Sequence, residues 1–238
     1  MIRPVFLLLL FCGQGLTRQA SAQPYIDYYS SGIAKNKAKD YVGAIADFTK
    51  AIEVLPHKQN AFFNRGLVKA EINDLAGAII DLTKVIELDP KNSEAWFQRG
   101  IVRYKNMDTT GAIQDFSKTL QFNPRNFMSY YNLGKIKKDC KLYKESIADY
   151  NKALEFNPKY IDGYNNRGTV KFITADFKGA IADYNKAIEI IPIYSDAWYN
   201  RGVAKLMIND KVGACQDLKK ALDLGNALAK ETLMKYCQ

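Results

Sequence analysis

The chain of 238 residues has few of the side chains that most often carry catalysis or bind metals. It contains one histidine, four cysteines and two tryptophans. The single histidine, His57, follows Pro56 and is expected in a turn, and the cysteines lack the close pairing that zinc sites use. The N-terminal apolar run Val5–Phe11 is too short to span a bilayer. These shortages argue against an enzyme, so we predict no catalytic residue, no metal site and no cofactor.

Proline is also scarce, with seven residues, yet five of them recur at a constant interval. They are Pro56, Pro90, Pro124, Pro158 and Pro192, spaced 34 residues apart. A fixed period of this size is typical of a solenoid made from one supersecondary unit. The period divides the chain into six blocks, of which the sixth lacks the proline. The blocks cover residues 25–58, 59–92, 93–126, 127–160, 161–194 and 195–228.

Each block carries large and small residues in one order. Position 4 of every block is aromatic, position 8 is glycine, position 20 is small and position 24 is large and apolar. The glycines are Gly32, Gly66, Gly100, Gly134, Gly168 and Gly202. Because a glycine within a helix costs about 1 kcal/mol relative to alanine, six in register indicate that two helices approach closely. The proline at position 32 ends the second helix, so each block predicts helix, turn, helix.

This order resembles the tetratricopeptide repeat, and the resemblance covers residues 25–228. It implies an all-α fold, a right-handed superhelical α-solenoid of six helix-turn-helix repeats. It also implies that the first helices line a concave groove that holds an extended peptide or a partner's helix. A further helix over residues 226–238, with Leu228, Leu233 and Met234 as its apolar residues, is expected to cap the last repeat.

Charged residues recur with the same period. Position 7 is arginine in four blocks, position 11 is basic in all six, and position 23 is always aspartate. We predict that each arginine pairs with the aspartate of the preceding block. Leu133 occupies position 7 of the fourth block and is an exception. Because the charges are spread over every block, they predict a structural lattice and do not indicate nucleic-acid binding.

The resemblance places positions 2, 5, 6, 9, 12 and 13 of the first helices on the groove. Position 6 is a carboxamide in blocks two to six: Asn64, Gln98, Asn132, Asn166 and Asn200. A carboxamide offers a donor and an acceptor, so it can bond a peptide backbone without reading its sequence. Further groove candidates are Lys105, Lys135, Lys138, Tyr131, Phe172, Tyr199 and Leu206. A purely structural role for the carboxamides remains an open alternative.

The first 22 residues read as a secretory signal peptide. Arg3 precedes the apolar run, and small residues end at Ala22, which predicts cleavage between Ala22 and Gln23. A lipoprotein anchor at Cys12 is the weaker alternative, because the large Phe11 precedes it. Removal of this segment lowers the formal net charge from +9 to +7. We therefore expect a periplasmic or secreted protein, with association at the outer membrane left open and no integral membrane segment after cleavage.

Export would place the remaining cysteines in an oxidising compartment. On an antiparallel helix pair joined at Gly225, Cys215 and Cys237 would differ in height by only about 3 Å. We predict a disulfide between them, with Cys140 free. Two buried free thiols are the alternative.

Two hypotheses about function follow from this sequence. The first is a non-enzymatic scaffold that binds a protein or peptide segment in its groove. The second is a structural envelope protein that self-associates through its last repeat and tail and has no peptide ligand. The double substitution Asn132→Ala with Asn166→Ala separates them, because it affects only the first.

Overall fold

The computed structural model describes residues 13–237, with side chains from Gln23 onward. Thirteen α-helices and no strand occur in this part of the chain, so the expected all-α helix-pair repeat fold is confirmed. The helices are α1 (Gly13–Lys37), α2 (Tyr41–Val54), α3 (Gln59–Glu71), α4 (Leu75–Leu88), α5 (Ser93–Lys105), α6 (Thr109–Phe122), α7 (Phe127–Asp139), α8 (Tyr143–Phe156), α9 (Ile161–Ile173), α10 (Phe177–Ile190), α11 (Ser195–Met207), α12 (Lys211–Asp223) and α13 (Leu228–Tyr236). Each block thus forms one hairpin of a first, odd-numbered helix and a second, even-numbered helix.

The contacts divide the chain into two compact units, residues 1–118 and 119–238, with the boundary inside α6. In the first unit, α2 packs between α1 and α3, and α4 packs between α3 and α5. In the second unit, α8 and α10 pack in the same way between successive first helices, and α12 packs between α11 and α13. Within the two units, these second helices therefore bury their apolar faces against their own hairpin and the helix that follows.

The glycine at position 8 allows the two helices of a hairpin to touch. A Cβ added at Gly168 would lie 2.7 Å from Cε1 of Tyr184, and one at Gly100 would lie 2.9 Å from Cε1 of Phe116. Both rings are buried, so they cannot yield. The large residue at position 24 is thus the one that the glycine accommodates, and the position 4 aromatic packs elsewhere in the core.

The turn inside each hairpin combines a left-handed residue with a helix cap. Position 15 has φ between 60° and 66° in all six hairpins, at Lys39, Asn73, Met107, Lys141, Ala175 and Asn209. Position 16 is an aspartate in five hairpins, and its side chain accepts a hydrogen bond from the backbone N–H of a glycine three residues later, as Asp176 does from Gly179 at 2.9 Å. The fourth hairpin lacks this cap, because Leu142 stands at the position.

The arginine at position 7 bonds within its own hairpin, so the prediction of a partner in the preceding block was wrong. Arg65 donates from Nε and Nη2 to both carboxylate oxygens of Asp81, at 2.9 and 2.7 Å. The antiparallel pairing of the two helices places positions 7 and 23 opposite each other. The remaining nitrogen, Nη1, reaches back and donates to Thr49 of the preceding block at 2.9 Å. The same three-bond arrangement is made by Arg99, Arg167 and Arg201.

The fourth hairpin departs from this lattice. Leu133 replaces the arginine, and Lys137 is the charged partner of Asp149, with Nζ 2.6 Å from Oδ2. Burial raises the pKa of Asp149 above its usual value, although Lys137 opposes the shift. In the first hairpin the reverse holds, since hydrogen bonds from Lys35 and Ser31 lower the pKa of Asp47. The lattice therefore compensates the buried aspartates to different extents along the chain.

The C-terminal helix packs differently from the expected cap. Ala229 is buried, but Leu228 and Met234 are 63% and 55% exposed, so two of the three apolar residues assigned to its packing face point to solvent. The helix α13 is tied to α12 by a disulfide between Cys215 and Cys237, whose Cα atoms lie 5.7 Å apart. The thiol of Cys140 is free and exposed.

Residues 1–12, with the predicted apolar run and Cys12, lie outside the described residues. The first helix begins at Gly13, passes through the predicted cleavage point after Ala22, and contains Pro24. In the described part of the chain, no helix is both long enough and apolar enough to cross a bilayer.

Candidate functional site

The candidate site lies on the first helices. In each unit these helices are neighbours: α1, α3 and α5 in the first, and α7, α9 and α11 in the second. Within each unit, equivalent residues of successive blocks therefore form rows across these helices, and we call the position 6 residues of the two units together the carboxamide row. Asn64 and Gln98 belong to the first unit, and Asn132, Asn166 and Asn200 to the second. All five side chains are half-buried.

The amide nitrogens of the carboxamide row are occupied by internal hydrogen bonds. Asn166 Nδ2 donates to the backbone carbonyl of Asp162 at 2.9 Å and to the hydroxyl of Tyr131 at 3.2 Å. Asn64 makes the equivalent pair of bonds with Asn60 and Tyr29, at 2.9 Å each. The remaining three donate to Glu94, Met128 and Asn165, at 2.7 to 3.0 Å. Position 5 of the preceding block thus orients several of these carboxamides, a role that the sequence analysis did not assign.

The side-chain oxygens of the carboxamide row accept no hydrogen bond from the described residues. Among residues 23–237, no hydrogen bond reaches Oδ1 of the four asparagines or Oε1 of Gln98. Because both N–H groups of Asn64 and Asn166 are used, these two side chains can only accept. Gln98, Asn132 and Asn200 each use one N–H and so keep the donor and acceptor pair that we expected, whereas Asn64 and Asn166 offer an acceptor alone.

The predicted basic residues are distributed over both units. In the first unit, Lys105 is exposed and its Nζ lies 3.5 Å from the carbonyl of Ala70. In the second, Lys135 and Lys138 lie on one face of α7, three residues apart. The ammonium of Lys138 lies 3.4 Å from Asp139. Only Lys135 and Lys138 are thus brought together within one unit.

The apolar candidates of the second unit differ in accessibility. Phe172 packs edge to face on Phe177, with ring centroids 5.4 Å apart, and joins the core beneath the turn. Its neighbour Ile173 is 48% exposed, and Met207 on the next first helix is 47% exposed. The accessible apolar surface is therefore formed by Ile173 and Met207 more than by the predicted Phe172.

A cluster of tyrosines at the start of α9 and α11 was not singled out from the sequence. The rings of Tyr131 and Tyr160 meet edge to face with centroids 4.9 Å apart, and Tyr194 donates its hydroxyl proton to Oδ1 of Asp162 at 3.1 Å. Burial raises the pKa of all three tyrosines, and the negative charge of Asp162 raises each further. The signal in the sequence is that position 34 is tyrosine only in blocks four and five.

Groups suited to metal binding do not converge in the described residues. No three histidine, cysteine, aspartate or glutamate side chains between Gln23 and Cys237 lie close enough to share a metal ion. His57 lies in the turn between α2 and α3, where the sequence predicted it.

Comparison with known proteins identifies the repeats. Models of the tetratricopeptide repeat match residues 59–92 and 161–194, another matches 82–114, and a third, described as a TPR repeat, matches 138–172. No protein with a curated function matches the sequence.

Solved structures share the fold. PilF of Pseudomonas aeruginosa aligns with a TM-score of 0.77 at 15% identity, over 91% of this chain and 99% of its own. YrrB, described as a TPR protein with an unusual peptide-binding site, aligns with a TM-score of 0.66 at 24% identity, over 79% and 97%. MamA aligns with a TM-score of 0.64 at 27% identity, over 69% and 96%.

Proposed function

Because this chain is a tetratricopeptide repeat protein, we propose that it is a non-enzymatic protein–protein interaction scaffold. In this proposal an extended segment of a partner protein lies across the first helices. The similarity to YrrB supports this reading, since that protein is described as having a peptide-binding site. The observation that carries the proposal is the carboxamide row, whose oxygens are oriented by internal bonds and left without donors.

An extended segment supplies the matching groups. Its backbone N–H groups repeat along the chain and need acceptors once they leave water. Each hydrogen bond contributes on the order of 1 kcal/mol net, so the row alone gives weak binding. In the second unit, contacts with the apolar Ile173 and Met207 and with Lys135 and Lys138 would add affinity and selectivity.

The mutational test compares two pairs of asparagines in the second unit. Asn132→Ala with Asn166→Ala removes two acceptors from the first helices. The control, Asn151→Ala with Asn185→Ala, removes two exposed carboxamides from α8 and α10, where they accept from lattice arginines at 2.7 and 2.6 Å. The immobilised variants are compared with the wild type in pull-downs from bacterial envelope extract.

We expect the first pair to lose the captured proteins and the control to retain them. Equal capture by all three proteins would contradict the proposed use of the row. Self-association without a peptide ligand, the alternative, would appear as a concentration-dependent mass in light scattering that neither pair changes.

We also propose that residues 1–22 are removed on export to the periplasm or cell exterior. The position of Pro24 supports this, because a proline within a helix clashes with the carbonyl four residues earlier but is tolerated in the first turn. Cleavage after Ala22 would place it in the first turn. Intact-mass analysis of protein recovered from the periplasm of a bacterial host should show a chain that begins at Gln23. Full-length protein retained in the cytoplasm would contradict export.

A further inference from the structure

We propose that Tyr131, Tyr160, Tyr194 and Asp162 form a subsite for a cationic side chain, lysine or arginine, of the bound segment. This inference rests on the proposed function, because it names the chemistry of the partner at one point of the same face. It concerns the second unit alone.

The four residues converge from three consecutive first helices. Tyr160 and Tyr194 are the N-cap residues of α9 and α11, Asp162 lies in the first turn of α9, and Tyr131 lies on α7. All four side chains are half-buried, so each keeps a solvent-facing part that a ligand can reach. The hydroxyl of Tyr131 accepts from Asn166, which joins this cluster to the carboxamide row.

The geometry suits a cation. Tyr131 and Tyr160 meet nearly at a right angle, 86°, so their contact is edge to face. Tyr160 also meets Phe127 at 67° and Tyr131 meets Tyr150 at 50°, so none of these contacts stacks one ring face on another. A lysine ammonium or arginine guanidinium is attracted to such faces within about 6 Å of the ring centroid. Asp162 accepts from Tyr194 through Oδ1, and no described residue donates to Oδ2. One carboxylate oxygen therefore remains for a charged donor.

A carboxylate charge, that of Asp162, lies at the cluster beside tyrosines whose ionisation burial already disfavours. The charge of Asp162 disfavours ionisation of all three tyrosines, and Asp196 adds to this effect at Tyr194. A field that opposes a second negative charge favours a positive one at the same place.

The equivalent place in the third block provides a matched control. Glu94 occupies position 2 there, as Asp162 does in the fifth block, but the N-cap residue is Asn92 in place of a tyrosine. Glu94 thus carries the same charge on a first helix without the aromatic rings. The substitution Glu94→Gln changes net charge as Asp162→Asn does.

The test uses small probes and does not require the natural partner. Protein with ¹³C-labelled tyrosine is titrated with N-acetyl-lysine methylamide, and with the norleucine analogue, which has a similar stem without charge. Tyrosine-to-phenylalanine variants assign the ring signals. We expect the lysine probe to shift the signals of Tyr131, Tyr160 and Tyr194, and the norleucine probe to leave them in place.

The two charge-removing variants then test whether the carboxylate of Asp162 binds the lysine probe. Asp162→Asn should weaken binding of the lysine probe by about two- to fivefold, the size expected for loss of a partly exposed ion pair, and Glu94→Gln should leave that affinity unchanged. Equal shifts with both probes, or unchanged affinity in Asp162→Asn, would overturn the subsite and leave the cluster as packing alone. If Asp162→Asn does not fold, the comparison of the two probes on the wild type decides.

The outcome is separable from that of the proposed function. Probe binding that survives in Asn132→Ala with Asn166→Ala supports the subsite even if no partner is captured. Partner capture that persists without any response to the lysine probe overturns the subsite and leaves the scaffold role intact.

Discussion

Replacing Arg167 by leucine should convert the fifth hairpin into a copy of the fourth, where leucine stands naturally at the same position. Arg167 donates to Asp183 from Nε and Nη2 at 3.0 and 2.6 Å, and to Asn151 from Nη1 at 2.7 Å. Asp183 is only 3% exposed. The substitution leaves it with Lys171, whose Nζ lies 2.8 Å from the carboxylate. The variant aspartate would thus have the environment that Asp149 has now.

The magnitude follows from these contacts. A hydrogen bond to a charged group contributes roughly 1.5 to 3 kcal/mol, and the variant loses two to Asp183. Removing one partner of a buried ion pair costs about 3 to 5 kcal/mol when the remaining charge is uncompensated, and Lys171 compensates part of it here. The buried leucine side chain returns some stability. We expect the free energy of unfolding at pH 7 to fall by about 2 to 3 kcal/mol.

The loss of unfolding free energy in Arg167→Leu should depend on pH, and Asp149 of the fourth hairpin indicates the direction. In that hairpin, burial raises the pKa of the aspartate, and the same should hold for Asp183 in the variant. A folded-state pKa above the unfolded value means that the folded protein binds a proton more readily, so the destabilisation caused by this aspartate diminishes as pH falls toward about 4. The difference from the wild type should therefore shrink at low pH.

Urea unfolding followed by far-ultraviolet circular dichroism at pH 7 and pH 4.5 measures both effects. Arg125→Leu is the matched control, because it makes the same change at an exposed arginine that lies over the ring of Phe156. It should cost less than about 1 kcal/mol. A cost for Arg167→Leu no larger than that of the control, or one that grows at pH 4.5, would refute the assignment of Arg167 to the lattice.

Two further predictions concern the tail and the helix crossing. Cys215→Ser removes the disulfide that closes a loop of 22 residues, so the free energy of unfolding should fall by about 3 kcal/mol. The thermal midpoint of the variant should match that of reduced wild type, and a midpoint equal to that of the oxidised wild type would contradict the bridge to Cys237. Gly168→Ala should destabilise by roughly 1 to 2 kcal/mol, because overpacking against buried Tyr184 exceeds the helix-propensity gain. Gly66→Ala, whose new Cβ would meet its nearest side-chain atom at 3.2 Å, should stay close to wild type in the same urea assay, and equal losses at both glycines would be inconsistent with this account.

The local repeat unit could be predicted from the sequence because its determinants are local. Glycine at position 8, a small residue at position 20 and proline at position 32 each limit what the backbone can do within one block. The capping aspartate and its glycine, as at Asp176 and Gly179, recur with the same period and could have been found by the same reading. The tyrosines Tyr160 and Tyr194 were overlooked because they occur in only two blocks.

The candidate site could be predicted only in outline. The carboxamide row was recognised from position 6, but which of its atoms remain available depends on neighbours at position 5, such as Tyr131 beside Asn166. The sequence also did not reveal which apolar side chains are accessible, since Phe172 packs inward and Ile173 stays at the surface. These outcomes depend on side-chain directions that a period does not contain.

The amino-acid sequence by itself determined the helix pairs, their number and their order, because a residue pattern repeated every 34 positions specifies the same hairpin each time. It could not determine which aspartate each arginine meets. In a repeat, the aspartate of the same block and that of the preceding block are chemically identical, and Arg65 is similarly far from both along the chain. Only the antiparallel crossing of α3 and α4 brings Asp81 within bonding distance and leaves Thr49 for the remaining nitrogen. Tertiary structure decided the partners because a hydrogen bond depends on distance and direction. The sequence contains neither quantity for residues that are equivalent in a repeat.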